Sequence, residues 1–107
     1  MKPVGIFGGT FDPVHIGHLI TAQAVKEMRD LEKIIFIPAF ISPHKVDTVI
    51  SSPEHRLNMI KLSTEDIPYF DFSDMEIKKK SVSYTIDTLK ELKKRYDKIE
   101  LIISQMF

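Results

Sequence analysis

Apolar and polar positions along the chain alternate between two periods. The run PVGIFG at 3–8 is apolar on both faces and opens on a proline, which predicts a buried strand. HIGHLITAQAVKEMRD follows at 15–30. It spaces Ile16, Leu19, Ile20, Ala24 and Met28 at helical intervals, predicting a helix that begins near Ile16 and turns those five residues inward. KIIFIP at 33–38 is a second β-rich run, stopped by Pro38, and a polar, proline-containing loop occupies 39–52. Pro53 suits the first turn of a helix over 53–64. YFDFSDMEI at 69–77 alternates and predicts a third strand. SYTIDTLKELKKRY at 83–96 predicts a helix capped by Ser83, with Ile86, Leu89, Leu92 and Tyr96 inward, and KIELIIS at 98–104 predicts a fourth strand.

The order βαβαβαβ, with strands apolar on both faces, predicts an α/β fold. Its right-handed crossovers give a Rossmann-like open parallel sheet with helices on both faces, in a single domain over 1–107. Ligands of such sheets bind at the carboxyl ends of the strands, which directs attention to 8–18, 39–45 and 78–85.

Composition narrows the function classes. Fifteen Lys+Arg balance fifteen Asp+Glu, so no net field attracts nucleic acid or an anionic membrane, and an anion must be bound locally. The longest apolar stretches fall short of a membrane span, and MKPVGIFGG lacks the apolar core of a secretory signal. The absence of cysteine excludes disulfides and thiolate metal sites, and the expectation is a cytoplasmic protein without a nucleic-acid or membrane partner.

The densest chemistry lies in GGTFDPVHIGH, residues 8–18. Gly8 and Gly9 leave the first strand without Cβ atoms, where the chain can turn sharply and a ligand can approach the backbone. Asp12-Pro13 resets the chain, and the helix then starts with its first N–H groups directed at the loop. His15 and His18 sit beside that positive end and Thr10 adds a hydroxyl, a geometry that suits a polyphosphate. A plain tight turn with two surface histidines is the competing reading of these residues alone. Zinc is disfavoured, because His44 and His55 would have to complete the ligand set from unrelated loops.

GGTFDPVHIGH resembles the signature of the nucleotidyltransferase superfamily that carries an H-x-G-H motif. PHK at 43–45 and SVSYTIDTL at 81–89 are similar to the corresponding motifs of the bacterial nicotinate-nucleotide adenylyltransferases. The resemblance implies that Gly8, Gly9, Thr10, Phe11 and Gly17 line a nucleotide site and that His15 and His18 hold the phosphates of ATP. It implies Mg²⁺ accompanying those phosphates and nicotinic acid mononucleotide as the acceptor, which attacks the α-phosphorus directly and expels pyrophosphate. Lys45 is then a phosphate clamp, and His44, Tyr84 and Thr85 lie on the mononucleotide side, where the third helix's first N–H groups can receive the nicotinate carboxylate. Arg56 and Met59 also fit the family's pattern, and they read as structural and core residues.

Ser104 and Met106 stand where that family usually shows a glycine and an aspartate, and the family's fold continues beyond residue 107. The expectation is an N-terminal portion of the fold, incomplete at its C-terminal half, whose open sheet edge favours association with a second copy. Two alternatives stand beside adenylyl transfer to nicotinic acid mononucleotide. One is a related adenylyl- or cytidylyltransferase with another phosphate acceptor, and the other a non-catalytic nucleotide-binding or dimerisation module.

Overall fold

The structure is a computed structural model, and it describes residues 2–40, 51–80 and 85–102, with the side chain of Thr85 outside the described set. The described elements run β1 (Val4–Gly9), α1 (Ile16–Met28), β2 (Ile34–Pro38), α2 (Pro53–Thr64), β3 (Phe70–Phe72), α3 (Met75–Lys79), α4 (Thr85–Leu92) and β4 (Ile99–Ile102). The strands form one sheet in the order β3-β2-β1-β4. Every pairing is parallel: Gly5 stands opposite Ile34, Phe7 opposite Ile102, and Phe36 opposite Phe72.

Because the sheet is parallel, all four carboxyl ends lie along one edge. The chain steps outward from β1 to β2 to β3 and then returns to β4 on the far side of β1. The strand order therefore reverses beside β1, the place where open α/β sheets form a ligand crevice.

Strand alternation divides the core in two. Phe7, Ile34, Phe36 and Phe70 face a cluster that takes in Ala22 of α1 and Ile60 of α2, while Val4, Ile6, Ile35 and Ile37 face Leu92 of α4. Helices thus cover both faces, as the strands' two-sided apolar character requires. Phe7 and Phe36 stack at 5.4 Å, and Phe36 meets Phe70 edge-on at 5.3 Å.

Three local expectations change. The strand expected over 69–77 stops at Phe72, because Ser73 turns the chain, its hydroxyl accepting from the Met75 N–H at 3.3 Å, and α3 follows. Glu76 and Ile77 are buried as neighbours on that short helix, which alternation cannot produce. On α1 the expected inward stripe is wrong in four of its five members. Ile16, Ile20 and Met28 are 69%, 62% and 82% exposed, Ala24 is exposed too, and Ala22 is buried with Leu19 and Val25 packed beside the core. This helix is apolar on two adjoining stripes, so spacing alone does not choose between them. On α4, Ile86 is exposed and Thr88 takes the inward position, hydrogen-bonded to Glu76.

Candidate nucleotide site at the strand ends

The loop between β1 and α1 is built differently from the turn that two glycines suggest. Gly8 and Gly9 are both strand residues, and neither has a positive φ. The chain turns instead at Phe11, whose φ is 49°, and at the cis Asp12-Pro13 bond. What Gly8 supplies is clear space, because a Cβ there would find its nearest neighbour, the Ile37 carbonyl oxygen, 4.0 Å away. Gly8 is exposed at the carboxyl end of the central strand, so a ligand can reach the main chain itself.

Phe11 is placed with its ring in the core, 4% exposed, meeting Phe7 at 5.3 Å, Phe36 at 5.7 Å and the His18 ring at 5.1 Å. Its main chain, not its ring, is what it can offer a ligand. Gly17 is the second residue of α1 and Thr10 is half-buried.

The two histidines cap α1 together. His15 is the N-cap residue, and its Nδ1 accepts from the Gly17 N–H at 3.0 Å; His18 Nδ1 accepts from the His15 N–H, also at 3.0 Å. The expectation of bare first-turn N–H groups is thus corrected, since the Gly17 donor is taken by an imidazole and the His18 N–H goes to the His15 carbonyl at 2.9 Å. A ring nitrogen that accepts carries no proton, so in each neutral ring Nε2 bears the hydrogen. The cap converts main-chain donors at the positive end of α1 into two ring donors, and each accepted N–H polarises the imidazole that relays it. The rings lie 3.9 Å apart. Burial first, and the neighbouring His15 second, hold His18 below the ordinary imidazole value, so it is neutral near pH 7.

Arg56, read from sequence as structural, stands at the centre of this edge. Its side chain is fully buried, and its guanidinium donates to four main-chain carbonyls: Ser51 at 3.0 Å, Thr10 at 2.8 Å, Ala39 at 2.6 Å and Phe40 at 2.9 Å. Burial lowers its basicity, while the nearby Asp12 and Glu54 charges oppose that effect. Asp12 also accepts from the Ser51 N–H at 3.0 Å. The signal for this role was legible: Arg56, Ile60 and Thr64 recur every four residues on α2 and all three are buried. A charged residue on an inward stripe needs partners, and here the partners are loop carbonyls.

His44 and Lys45 fall within 41–50, and Ser83 and Tyr84 within 81–84, all outside the described residues; Thr85 opens α4. Among the described residues, no group of three or more His, Asp or Glu side chains is arranged to hold a metal ion. Among the same residues no helix is long and apolar enough to cross a membrane. A separate groove of about 490 Å³, lined by Val25, Met28, Arg29, Glu100, Leu101 and Ile102, lies between α1 and β4 and contains no residue of the 8–18 loop.

Comparison with known proteins bears on the same edge. The chain is 49% identical over 100 residues to a protein of Desulfitobacterium hafniense (strain Y51) named probable nicotinate-nucleotide adenylyltransferase, covering 94% of this chain and 48% of that one. A protein of the same name from Caldicellulosiruptor bescii is 51% identical over 100 residues, with 94% and 50% covered. The chain thus spans about half the length of the curated relatives it matches. Among solved structures it is similar to the Plasmodium falciparum nicotinic acid mononucleotide adenylyltransferase complexed with NaAD, with a TM-score of 0.74 at 20% identity, covering 94% of this chain and 50% of that one. That likeness supports the parallel sheet and its strand order. The cytidylyltransferase-like family matches residues 6–105, a span that takes in the sheet, the histidine-capped helix and the Arg56 cage, and the chain belongs to that family.

Proposed function

We propose that this chain carries the ATP side of adenylyl transfer to nicotinic acid mononucleotide, the reaction that yields deamido-NAD and pyrophosphate. The observation that carries the reading is the reciprocal histidine cap. It directs Nδ1 of both rings to the main chain and leaves Nε2–H of each as the ring's donor, in the loop that follows the exposed Gly8 at the end of β1.

In this reading the β- and γ-phosphates of ATP lie at the N-terminus of α1 and accept from the Nε2–H groups of His15 and His18. An oxygen of the mononucleotide phosphate attacks the α-phosphorus, a P–O bond forms, and the bond to the β-phosphate oxygen breaks as pyrophosphate leaves. No side chain becomes adenylylated, so the protein's work is positioning and stabilising the charge that develops on the phosphoryl oxygens. Imidazoles whose Nδ1 accepts from the main chain suit that work, because each donates through Nε2–H without having to lose or gain a proton. Mg²⁺ enters as part of the Mg–ATP substrate, bound chiefly through phosphate oxygens. Lys45 as clamp, and His44, Tyr84 and Thr85 as mononucleotide contacts, belong to the same proposal and rest on their motifs.

A second reading is a nucleotide-binding module that binds ATP without turning it over. Incubation of the purified chain with ATP, Mg²⁺ and nicotinic acid mononucleotide separates the two. Pyrophosphate and deamido-NAD are expected, with little product from nicotinamide mononucleotide. ATP binding with no product from either acceptor would favour the module, and turnover with a different phosphate acceptor alone would overturn the choice of substrate.

A further inference from the structure

A fully buried guanidinium is costly unless its donors are met, and Arg56 meets that cost with carbonyls drawn from three separate segments. Thr10 belongs to the loop after β1, Ala39 and Phe40 to the loop after β2, and Ser51 to the approach to α2. Two further bonds link the same segments without Arg56: Ala39 N–H to the Gly9 carbonyl at 2.8 Å, and Ser51 N–H to the Asp12 carboxylate. The planar fork is what makes the junction possible, since Nε, Nη1 and Nη2 point in fixed, divergent directions. A lysine ammonium offers three donors at one point and cannot span the same carbonyls.

We propose that Arg56 is a positioning residue of the nucleotide site: it holds the β1–α1 loop against the loop after β2, fixing the gap between the Gly8–His18 wall and residues 39–40 without touching the nucleotide. The proposal rests on the nucleotide reading above. It differs from a merely structural role in where the effect of substitution falls. α2 packs through Met59 and Ile60, so the sheet and its helices keep their main contacts when the fork is lost, while the two loops lose their common anchor.

The test compares native chain with Arg56→Lys, which keeps charge and most of the aliphatic stem. Amide exchange is followed by NMR at Ala39 and Ser51, the joints between the loops, and at Ile35 and Phe36 inside β2. ATP binding is measured by calorimetry on the same samples. Exchange at Ala39 and Ser51 is expected to accelerate by about tenfold or more relative to Ile35 and Phe36, with ATP affinity falling on the order of tenfold. Uniform acceleration across all four amides would overturn the proposal, because the role would then be global stability alone. Unchanged ATP affinity in a variant with loosened joints would overturn it as well. Native chain that binds no ATP would condemn the nucleotide reading, whereas native binding with an indifferent Arg56→Lys variant condemns this proposal by itself.

Discussion

The carboxyl ends of β1 and β2 and the outer side of α1 with β4 are opposites. At the strand ends polar groups are matched: a buried guanidinium with four carbonyls, and an exposed and a half-buried imidazole with two main-chain donors. Along α1 and β4 apolar groups are exposed at Ile16, Ile20, Met28 and Leu101, and β4 pairs with β1 alone among the described strands. The first arrangement costs stability at every polar group unless each partner is in place, so it persists where geometry itself is needed. The second leaves apolar groups in water, with the Arg29–Glu100 pair, at 2.8 and 3.2 Å, bridging the groove among the described residues.

Substitutions can break that contrast, and the largest effect is expected at the histidines. His18→Ala removes a ring donor and leaves the His15 N–H without its cap. A hydrogen bond to a charged group contributes about 1.5–3 kcal/mol, so ATP affinity should fall by roughly tenfold to a hundredfold. Titration calorimetry checks this, and native-like affinity in the variant would remove His18 from the site.

A smaller effect is expected from pH. The folded-state pKa of His18 lies below its unfolded value near 6.5, so the unfolded chain takes the proton first. The contribution of His18 to stability is present above that unfolded value and is lost as pH falls through the lower, folded one. His18→Asn keeps an acceptor near the Nδ1 position and abolishes the titration. Urea midpoints measured from pH 8 to 5 should decline less steeply in the variant than in the native chain, and parallel declines would show that His18 carries none of the slope.

The smallest effect on stability is expected on the apolar side. Ile20→Lys alters a residue that is 62% exposed, so the free energy of unfolding should change by no more than about 0.5 kcal/mol. Self-association seen by sedimentation velocity should weaken in the same variant if this face is sticky. A large loss of stability would mean that Ile20 is covered in solution, and the contrast between the two regions would blur.

Much of the fold was legible from the chain. Runs apolar on both faces gave β1 and β2 to within a residue, and Pro53 marked the start of α2. Short-range alternation failed at Phe70–Lys79, where Phe70 and Phe72 supply one strand period before Ser73 ends it and a helix takes over. Helical spacing failed on α1 because two adjoining apolar stripes compete, and only the tertiary packing of Ala22 against the sheet selects one. In the site, spacing put His15 and His18 together correctly but could not reveal that the His18 ring caps the His15 N–H while the His15 ring caps that of Gly17. It placed a turn at Asp12-Pro13 correctly but expected Gly8 and Gly9 to bend the chain as well, whereas both stay in β1 and Phe11, with φ 49°, joins the turn instead. Arg56 read as structural, and its four-residue spacing with Ile60 and Thr64 pointed to an inward stripe, but its partners are carbonyls from three segments, a set that no local pattern encodes.

Gly8→Ala is the most direct test of whether this edge receives a nucleotide. The added methyl enters open space, 4.0 Å from its nearest neighbour, and alanine loses less backbone entropy on folding than glycine, so thermal stability should hold or rise slightly. Calorimetric titration with Mg–ATP should then show binding by the native chain and a loss of tenfold or more in the variant, because the methyl occupies the space the phosphates need. Equal ATP affinity in a stable Gly8→Ala protein, or no binding by the native chain, would contradict the account.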